Sequence, residues 1–215
     1  MPDLQFRANG ATVVPNSAGP LLAFKLEINN TGKELIHTVV LRCQIQIETT
    51  RRKYTEEDQA QLRDLFGEPQ RWSQTLRSIL WTHAQAVVPA FSGHVVTDLH
   101  VPCTFDFNVA ATKYFSALRE GEIPLLLMFS GSVFYADADG ALQVAPISWD
   151  KEARFRLPLK IWRDMMDTYY PNSAWLCLRR DAFERLLAYK TLNGIPTWEE
   201  ALELLMDTEE DVVPQ

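Results

Sequence analysis

Residues 148–164, SWDKEARFRLPLKIWRD, bring together the side chains in this sequence that are best suited to bind another molecule. Tryptophan and arginine dominate the binding energy of protein–protein interfaces, because each buries a large area and keeps a polar group. The pattern predicts a partner-binding surface with five contact residues: Trp149, Arg154, Arg156, Trp162 and Arg163. The alternative is that Trp149 and Trp162 anchor a helical segment to the core while the basic groups are solvated.

No spacing in the sequence predicts a catalytic centre. The string Ser130-Gly131-Ser132 lacks the pattern of a nucleophile elbow. It lies in a strand-like segment, where the glycine is expected at a bulge or at a close approach of two strands. The nine glycines form no phosphate-binding loop. We therefore expect a protein that is not an enzyme.

The cysteine and histidine spacing predicts no metal site and no cofactor. Cys43, Cys103 and Cys177 lie far apart in apolar strings, which favours buried thiols over the ligands of a zinc ion or cluster. His94 and His100 share one face of a predicted strand. At the rise of a strand they are about 20 Å apart, too far to bind one ion together.

The size and charge of the chain exclude several classes of partner. It has 215 residues, of which 47% are apolar, and a formal net charge of -7, which is typical of a globular protein. Phosphate binding depends on lysine and arginine, so we expect no nucleic-acid partner. No apolar run approaches the about 18 residues of a membrane span, and the first residues lack an export-signal pattern. We therefore expect no membrane contact and a cytoplasmic location.

Alternating apolar residues predict that most of the chain is β-strand. Residues 36–49 alternate strictly, with five apolar side chains on one face: Val39, Leu41, Cys43, Ile45 and Ile47. Residues 21–28 and 123–135 are also strand-like. About seven strands predict a mainly β protein with α-helices, an antiparallel immunoglobulin-like β-sandwich with short helical insertions and an α-helical C-terminal region. The alternative is a SecB-like antiparallel sheet backed by helices.

Helical patterns predict the remaining elements. Thr55, followed by three acidic residues, predicts the N-terminus of a helix inserted between strands. Helical spacing dominates the last quarter of the chain, where Asp181 with Glu184 predicts a capping box. The sequence therefore predicts a β-sandwich domain over residues 1–157 and a helical C-terminal extension, residues 158–215, packed on it.

Six strings distributed along the chain resemble an uncharacterised bacterial family. They are LRCQIQIE, RRKY, LFGEP, LWTH, VPCTFDF and SWDKEARFRLP. The family is a domain of unknown function, number six thousand and eighty-four, and the resemblance covers residues 4–205. Members of this family tend to be encoded beside a high-affinity, oxygen-tolerant nickel–iron hydrogenase, so the resemblance implies a hydrogenase-associated accessory or assembly role. The family has no established catalytic residues, so none is carried over.

These observations together predict a non-catalytic protein–protein binding module. The resemblance implies a nickel–iron hydrogenase subunit or a maturation factor as its protein partner. One alternative is a chaperone-like holdase, which needs an exposed apolar groove. Another is an unrecognised small-ligand-binding protein or enzyme, which needs a deep pocket with several polar side chains. The sequence carries no prediction of the oligomeric state.

Overall fold

The computed structural model describes residues 2–210, with side chains through residue 207, as two compact units. The first unit ends at Trp175 and the second begins at Leu176. The first unit contains the described strands and the helix that follows them. That residues 158–215 form one extension packed on the sandwich stays a prediction.

Eight strands form the sheets of the first unit. Their bounds are β1 (Leu4–Val13), β2 (Leu21–Asn30), β3 (Ile36–Ile47), β4 (Ile79–Val88), β5 (His94–Pro102), β6 (Glu122–Ala136), β7 (Leu142–Pro146) and β8 (Glu152–Pro158). Within the described residues, every pairing between these strands is antiparallel. One sheet has the order β1-β2-β5, and the other has the order β4-β3-β6-β7, with β8 also paired to β6.

The strict alternation of β3 reflects its position inside the five-stranded sheet. Leu41 lies opposite Ala86 of β4 and Gly131 of β6. The five apolar side chains predicted to share one face of this strand are all buried. The three-stranded sheet covers that face, and the ring centroids of Phe6 on β1 and Phe129 on β6 are 4.3 Å apart. Two sheets therefore enclose one core, which confirms the predicted antiparallel β-sandwich and excludes a single sheet backed by helices.

The strand order differs from a constant-type immunoglobulin domain in two respects. In such domains the fourth strand joins the sheet of the first, second and fifth strands, whereas here β4 pairs with β3. In addition, β6 is 15 residues long and pairs with β7 along one half and with β8 along the other. Because β3 occupies the opposite edge of β6, β7 and β8 lie end to end along one edge.

Helices connect the strands and form most of the C-terminal region. Their bounds are α1 (Glu56–Gln61), α2 (Arg63–Phe66), α3 (Trp72–Thr75), α4 (Ala110–Ala117), α5 (Leu159–Tyr169), α6 (Arg180–Leu192) and α7 (Trp198–Glu210). The hydroxyl of Thr55 accepts a hydrogen bond of 3.1 Å from the backbone N–H of Asp58, whose carboxylate accepts one of 3.3 Å from the Thr55 N–H. The predicted helix start at Thr55 is therefore confirmed, and it is a capping box.

The second unit contains α6 and α7 among its described residues. The ring centroids of Phe183 on α6 and Trp198 on α7 are 5.5 Å apart. The capping box predicted from Asp181 and Glu184 is wrong, because α6 already begins at Arg180. Arg179 occupies the N-cap position and makes no side-chain cap.

Candidate functional site

The five residues predicted to contact a partner lie in two different environments. Trp149 lies between β7 and β8 and is 93% exposed, and Arg154 and Arg156 are exposed on β8. Trp162 and Arg163 lie in α5, where Trp162 is only 3% exposed. Three of the five are thus available to another molecule, and the other two contribute to the fold itself.

The Trp149 turn, residues 148–151, interrupts what is otherwise one long edge strand along β6. Before the turn, the backbone N–H of Ile147 donates a hydrogen bond of 2.9 Å to the carbonyl oxygen of Gly131. After it, the N–H of Phe129 donates one of 2.9 Å to the carbonyl oxygen of Lys151. The chain therefore leaves β6 only between these two bonds, and the tryptophan lies on the segment that projects.

Three contacts hold the Trp149 turn in place. The backbone N–H of Lys151 donates to the carbonyl oxygen of Ser148 over 3.3 Å. A hydrogen bond from the Ser148 side chain lowers the pKa of Asp150. The ammonium of Lys151 lies 2.6 Å from the carboxylate of Asp3, which precedes β1 in the other sheet. The turn therefore presents its indole on a backbone that is tied at several points.

Arg154 and Arg156 lie on the outer face of the five-stranded sheet, which points away from the core. On β8 they alternate with inward-facing residues, and the register places Arg154 opposite Leu126 and Arg156 opposite Pro124 of β6. Other strands also expose side chains on this face, namely Val40, Arg42 and Val87. The outer face is therefore open surface at these positions.

The arginines of β8 border a surface cavity that we call the arginine pocket, lined by Glu48, Arg51, Pro124, Arg154 and Arg156 among others, with a volume of about 350 Å³. The carboxylate of Glu48 lies 2.9 Å from the Nε of Arg51 and 3.4 Å from the Nε of Arg154. Arg154 is also 2.8 Å from the carboxylate of Glu152 through its Nη1. Arg156 has no carboxylate at ion-pair distance among the residues the structure describes.

The burial of Trp162 corrects its predicted role as a partner contact. Its indole packs against the core ring of Phe115 and the half-buried ring of Phe105, with centroid distances of 5.2 Å and 6.2 Å. A side chain enclosed in this way contacts no partner unless the core opens. The anchoring alternative therefore describes Trp162, while it does not describe the exposed Trp149.

Arg163 is half-buried and its guanidinium donates to backbone carbonyl oxygens, which gives it a role in the fold, while its role as a partner contact stays a prediction. Together with Arg52, it holds the carbonyl loop, which we define as residues 118–122, from the end of α4 to the first residue of β6. The guanidinium of Arg163 donates hydrogen bonds to the carbonyl oxygens of Leu118 and Arg119 in this loop. The guanidinium of Arg52 donates to those of Glu120 and Glu122. Arg52 also lies 3.6 Å from the buried carboxylate of Asp58. In the sequence, Arg52 stands out only as part of the string RRKY, which does not reveal this contact.

Two of the three cysteines are unsuited to chemistry. Burial raises the pKa of both Cys43 and Cys103 to about 12, so neither forms a thiolate readily at neutral pH. Cys177 is exposed, which corrects the prediction of a buried thiol. In the described part of the chain, no group of three or more histidine, cysteine, aspartate or glutamate side chains is arranged to hold a metal ion.

The fold and the candidate site define an antiparallel β-sandwich protein with helical elements, whose exposed tryptophan and arginines lie on open surface. The chain belongs to a family of unknown function (DUF6084), whose model matches residues 1–214. This confirms the resemblance to the family. No curated protein matches the sequence. Within residues 2–210, no helix is both long enough and apolar enough to cross a membrane.

Solved structures with some similarity to this chain are distant from it. A Bordetella pertussis protein with the provisional name ApaA is 13% identical, with a TM-score of 0.27, over 73% of this chain and 93% of that one. A β-glucosidase from Kluyveromyces marxianus is 10% identical, with a TM-score of 0.26, over 72% of this chain and 15% of the enzyme. TM-scores this low carry no conclusion about fold or function.

Proposed function

We propose that this protein is a non-catalytic binding module that recognises a protein partner through the Trp149 turn and the arginines of β8. The observation that carries the proposal is the exposure of Trp149, at 93%, on a turn that is held by hydrogen bonds and an ion pair. An indole has only two side-chain torsions to fix when it is covered, so its entropy cost is low, and it buries a large apolar area. Such side chains are frequent hot spots of protein interfaces.

The arginines of β8 support the proposal because they are exposed and lie close to Trp149 along the chain. At a rise of about 3.3 Å per residue, Arg154 lies within about 17 Å of Trp149 along the chain. A typical interface covers about 800 Å² on each partner, which is wide enough to include both residues. Arginine is also enriched at interfaces, because its planar guanidinium both stacks and donates several hydrogen bonds.

The family resemblance adds a particular partner to the proposal, a nickel–iron hydrogenase subunit or a maturation factor. The protein would then act as an accessory or assembly factor in the cytoplasm. It would bind the partner without holding a cofactor of its own.

Photo-crosslinking from position 149 tests this proposal. A photoreactive phenylalanine analogue replaces Trp149 in the native organism, and a matched control carries the same analogue at Val96, which is 53% exposed on the other sheet. We expect a cross-linked species from position 149 and none from position 96, with a hydrogenase-related protein identified in it by mass spectrometry.

Each other outcome of this experiment refutes a defined part of the proposal. The same products from both positions, or none from position 149, contradict a binding role for the Trp149 turn. One defined partner that is unrelated to hydrogenases leaves the binding module standing and refutes the hydrogenase assignment.

A further inference from the structure

The arginine pocket combines three guanidinium groups with a single carboxylate among its lining residues. Arg51 and Arg154 share the carboxylate of Glu48, whose side chain is 12% exposed. The guanidinium of Arg156 is left without a carboxylate partner among the described residues. The chain as a whole carries a formal charge of -7, so this local excess of positive charge is not a consequence of general basicity.

The charge of the pocket suits an anionic group of a protein partner. A guanidinium presents a planar fork of donors that matches two oxygens of a carboxylate or of a phosphate. On the proposed protein partner, the anionic side chains are those of aspartate and glutamate, so the expected ligand is a carboxylate. Arg51 uses one of its nitrogens on Glu48, and Arg154 uses two on Glu48 and Glu152. The whole guanidinium of Arg156 is without a carboxylate partner among the described residues, so Arg156 offers the complete fork of donors.

The pocket lies close to the Trp149 turn along the chain. Arg156 lies seven residues beyond Trp149, which at the rise of a strand is at most about 23 Å. An extended segment that crosses the Trp149 turn therefore reaches the arginine pocket within roughly seven residues of its own.

We propose that the arginine pocket binds the carboxylate side chain of an acidic segment of the partner protein, with Arg156 as its principal contact. The proposal rests on the proposed function and names the chemistry of the partner. The Trp149 turn then supplies apolar area, while the pocket selects a segment with aspartate or glutamate at a defined distance.

Titration of the full chain with model peptides tests the pocket directly. The probe is acetyl-octaglutamate amide, the matched neutral probe is acetyl-octaglutamine amide, and the readout is the NMR signal of each arginine Nε–Hε group. We expect the Arg156 signal to shift with the glutamate peptide and not with the glutamine peptide. We expect Arg156→Glu to weaken peptide binding by about tenfold or more, and Arg156→Lys by about threefold because the charge remains without the planar fork.

The matched control is Arg7→Glu, which makes the same change of net charge at an exposed residue of β1 in the other sheet. We expect it to change peptide binding by less than about twofold. Equal weakening by Arg7→Glu and Arg156→Glu overturns the proposal, because the binding then follows net charge. Two other results also overturn the proposal. One is that the Arg156 NMR signal does not shift with the glutamate peptide, and the other is that inorganic phosphate binds at Arg156 more tightly than this peptide does.

Failure of this inference is distinguishable from failure of the proposed function. If Arg156→Glu leaves the cross-link from position 149 unchanged, the acidic-segment proposal is refuted and the binding module stands. If position 149 gives no specific cross-link even when Arg156 is intact, the proposed function itself is refuted.

Discussion

Two tryptophan–arginine groups lie within one short stretch of this chain and have opposite environments. Trp149, with Arg154 and Arg156, is at the surface, whereas Trp162 is in the core and its neighbour Arg163 is bonded to backbone carbonyls. Both groups combine apolar area with polar donors. The two groups have similar residue types but different neighbours. The elements that pack over a tryptophan–arginine group therefore determine whether it stabilises the fold or stays available to a partner.

The largest effect is expected from truncating the two tryptophans in turn. Trp162→Ala removes a ring packed against Phe105 and Phe115, and we expect the free energy of unfolding to fall by about 3–5 kcal/mol. Trp149→Ala leaves the core unchanged and should alter it by less than about 0.5 kcal/mol. Urea unfolding, monitored by circular dichroism, measures the free energy of unfolding of both variants. An equal decrease in the two variants would contradict the difference between the two tryptophans.

The next effect concerns Arg52, which donates hydrogen bonds to the carbonyl loop. Arg52→Met leaves the buried Asp58 carboxylate without its cation, and we expect a loss of about 3 kcal/mol. Adding Asp58→Asn should restore part of that loss, because the unpaired charge is removed. The control is Arg51→Met on the surface, expected to cost less than about 1 kcal/mol. No difference between Arg52→Met and Arg51→Met would refute the role of Arg52.

A smaller effect separates Arg163 from Arg156. Arg163→Met leaves the carbonyl oxygens of Leu118 and Arg119 without these donors, and we expect the free energy of unfolding to fall by about 2 kcal/mol. Arg156→Met removes no described ion pair and should change it by less than about 0.5 kcal/mol. Chemical denaturation of both variants measures this difference, and destabilisation by Arg156→Met of the same size would show that Arg156 is structural.

The smallest effect is a pKa change within the Trp149 turn. The Ser148 side chain lowers the pKa of Asp150, so Ser148→Ala should raise it toward its ordinary value. Because the pKa of Asp150 is lower in the folded than in the unfolded state, the interaction stabilises the fold at pH values above the pKa of the unfolded chain. This stabilisation is lost as the pH falls through the pKa of the folded protein. Carboxyl NMR titration measures the shift. Asp137, whose pKa is lowered chiefly by Gln143, is the internal control and should not change.

Local sequence patterns were enough to predict the central strand and one helix start. The alternation along residues 36–49 matches β3, because a strand with one buried face must place apolar residues at every second position. Thr55 followed by acids matches the start of α1, because the cap and the helix dipole act within one turn. The same reasoning failed at Asp181, where the helix begins earlier without a side-chain cap.

The first strand was not recognisable in this way. Its burial does not alternate strictly, and its pairing with β2 shifts between Ala8 and Gly10. A bulge interrupts the period of two on which the prediction depends. Its place in the three-stranded sheet is established by pairing with β2, which lies further along the chain.

Residue types and spacing also identified the stretch that carries the candidate site, but not the separate roles of its residues. Periodicity reports the geometry of one element, because it depends on neighbours within a few positions. Whether a side chain is buried depends instead on contacts between positions that are distant in the sequence. Arg163 donates a hydrogen bond to a carbonyl oxygen 45 residues away in the chain, and Lys151 donates one to a carboxylate 148 residues away. Folding of the two sheets and α5 therefore buries Trp162 and leaves Trp149 exposed, although both indoles favour burial when they are considered alone.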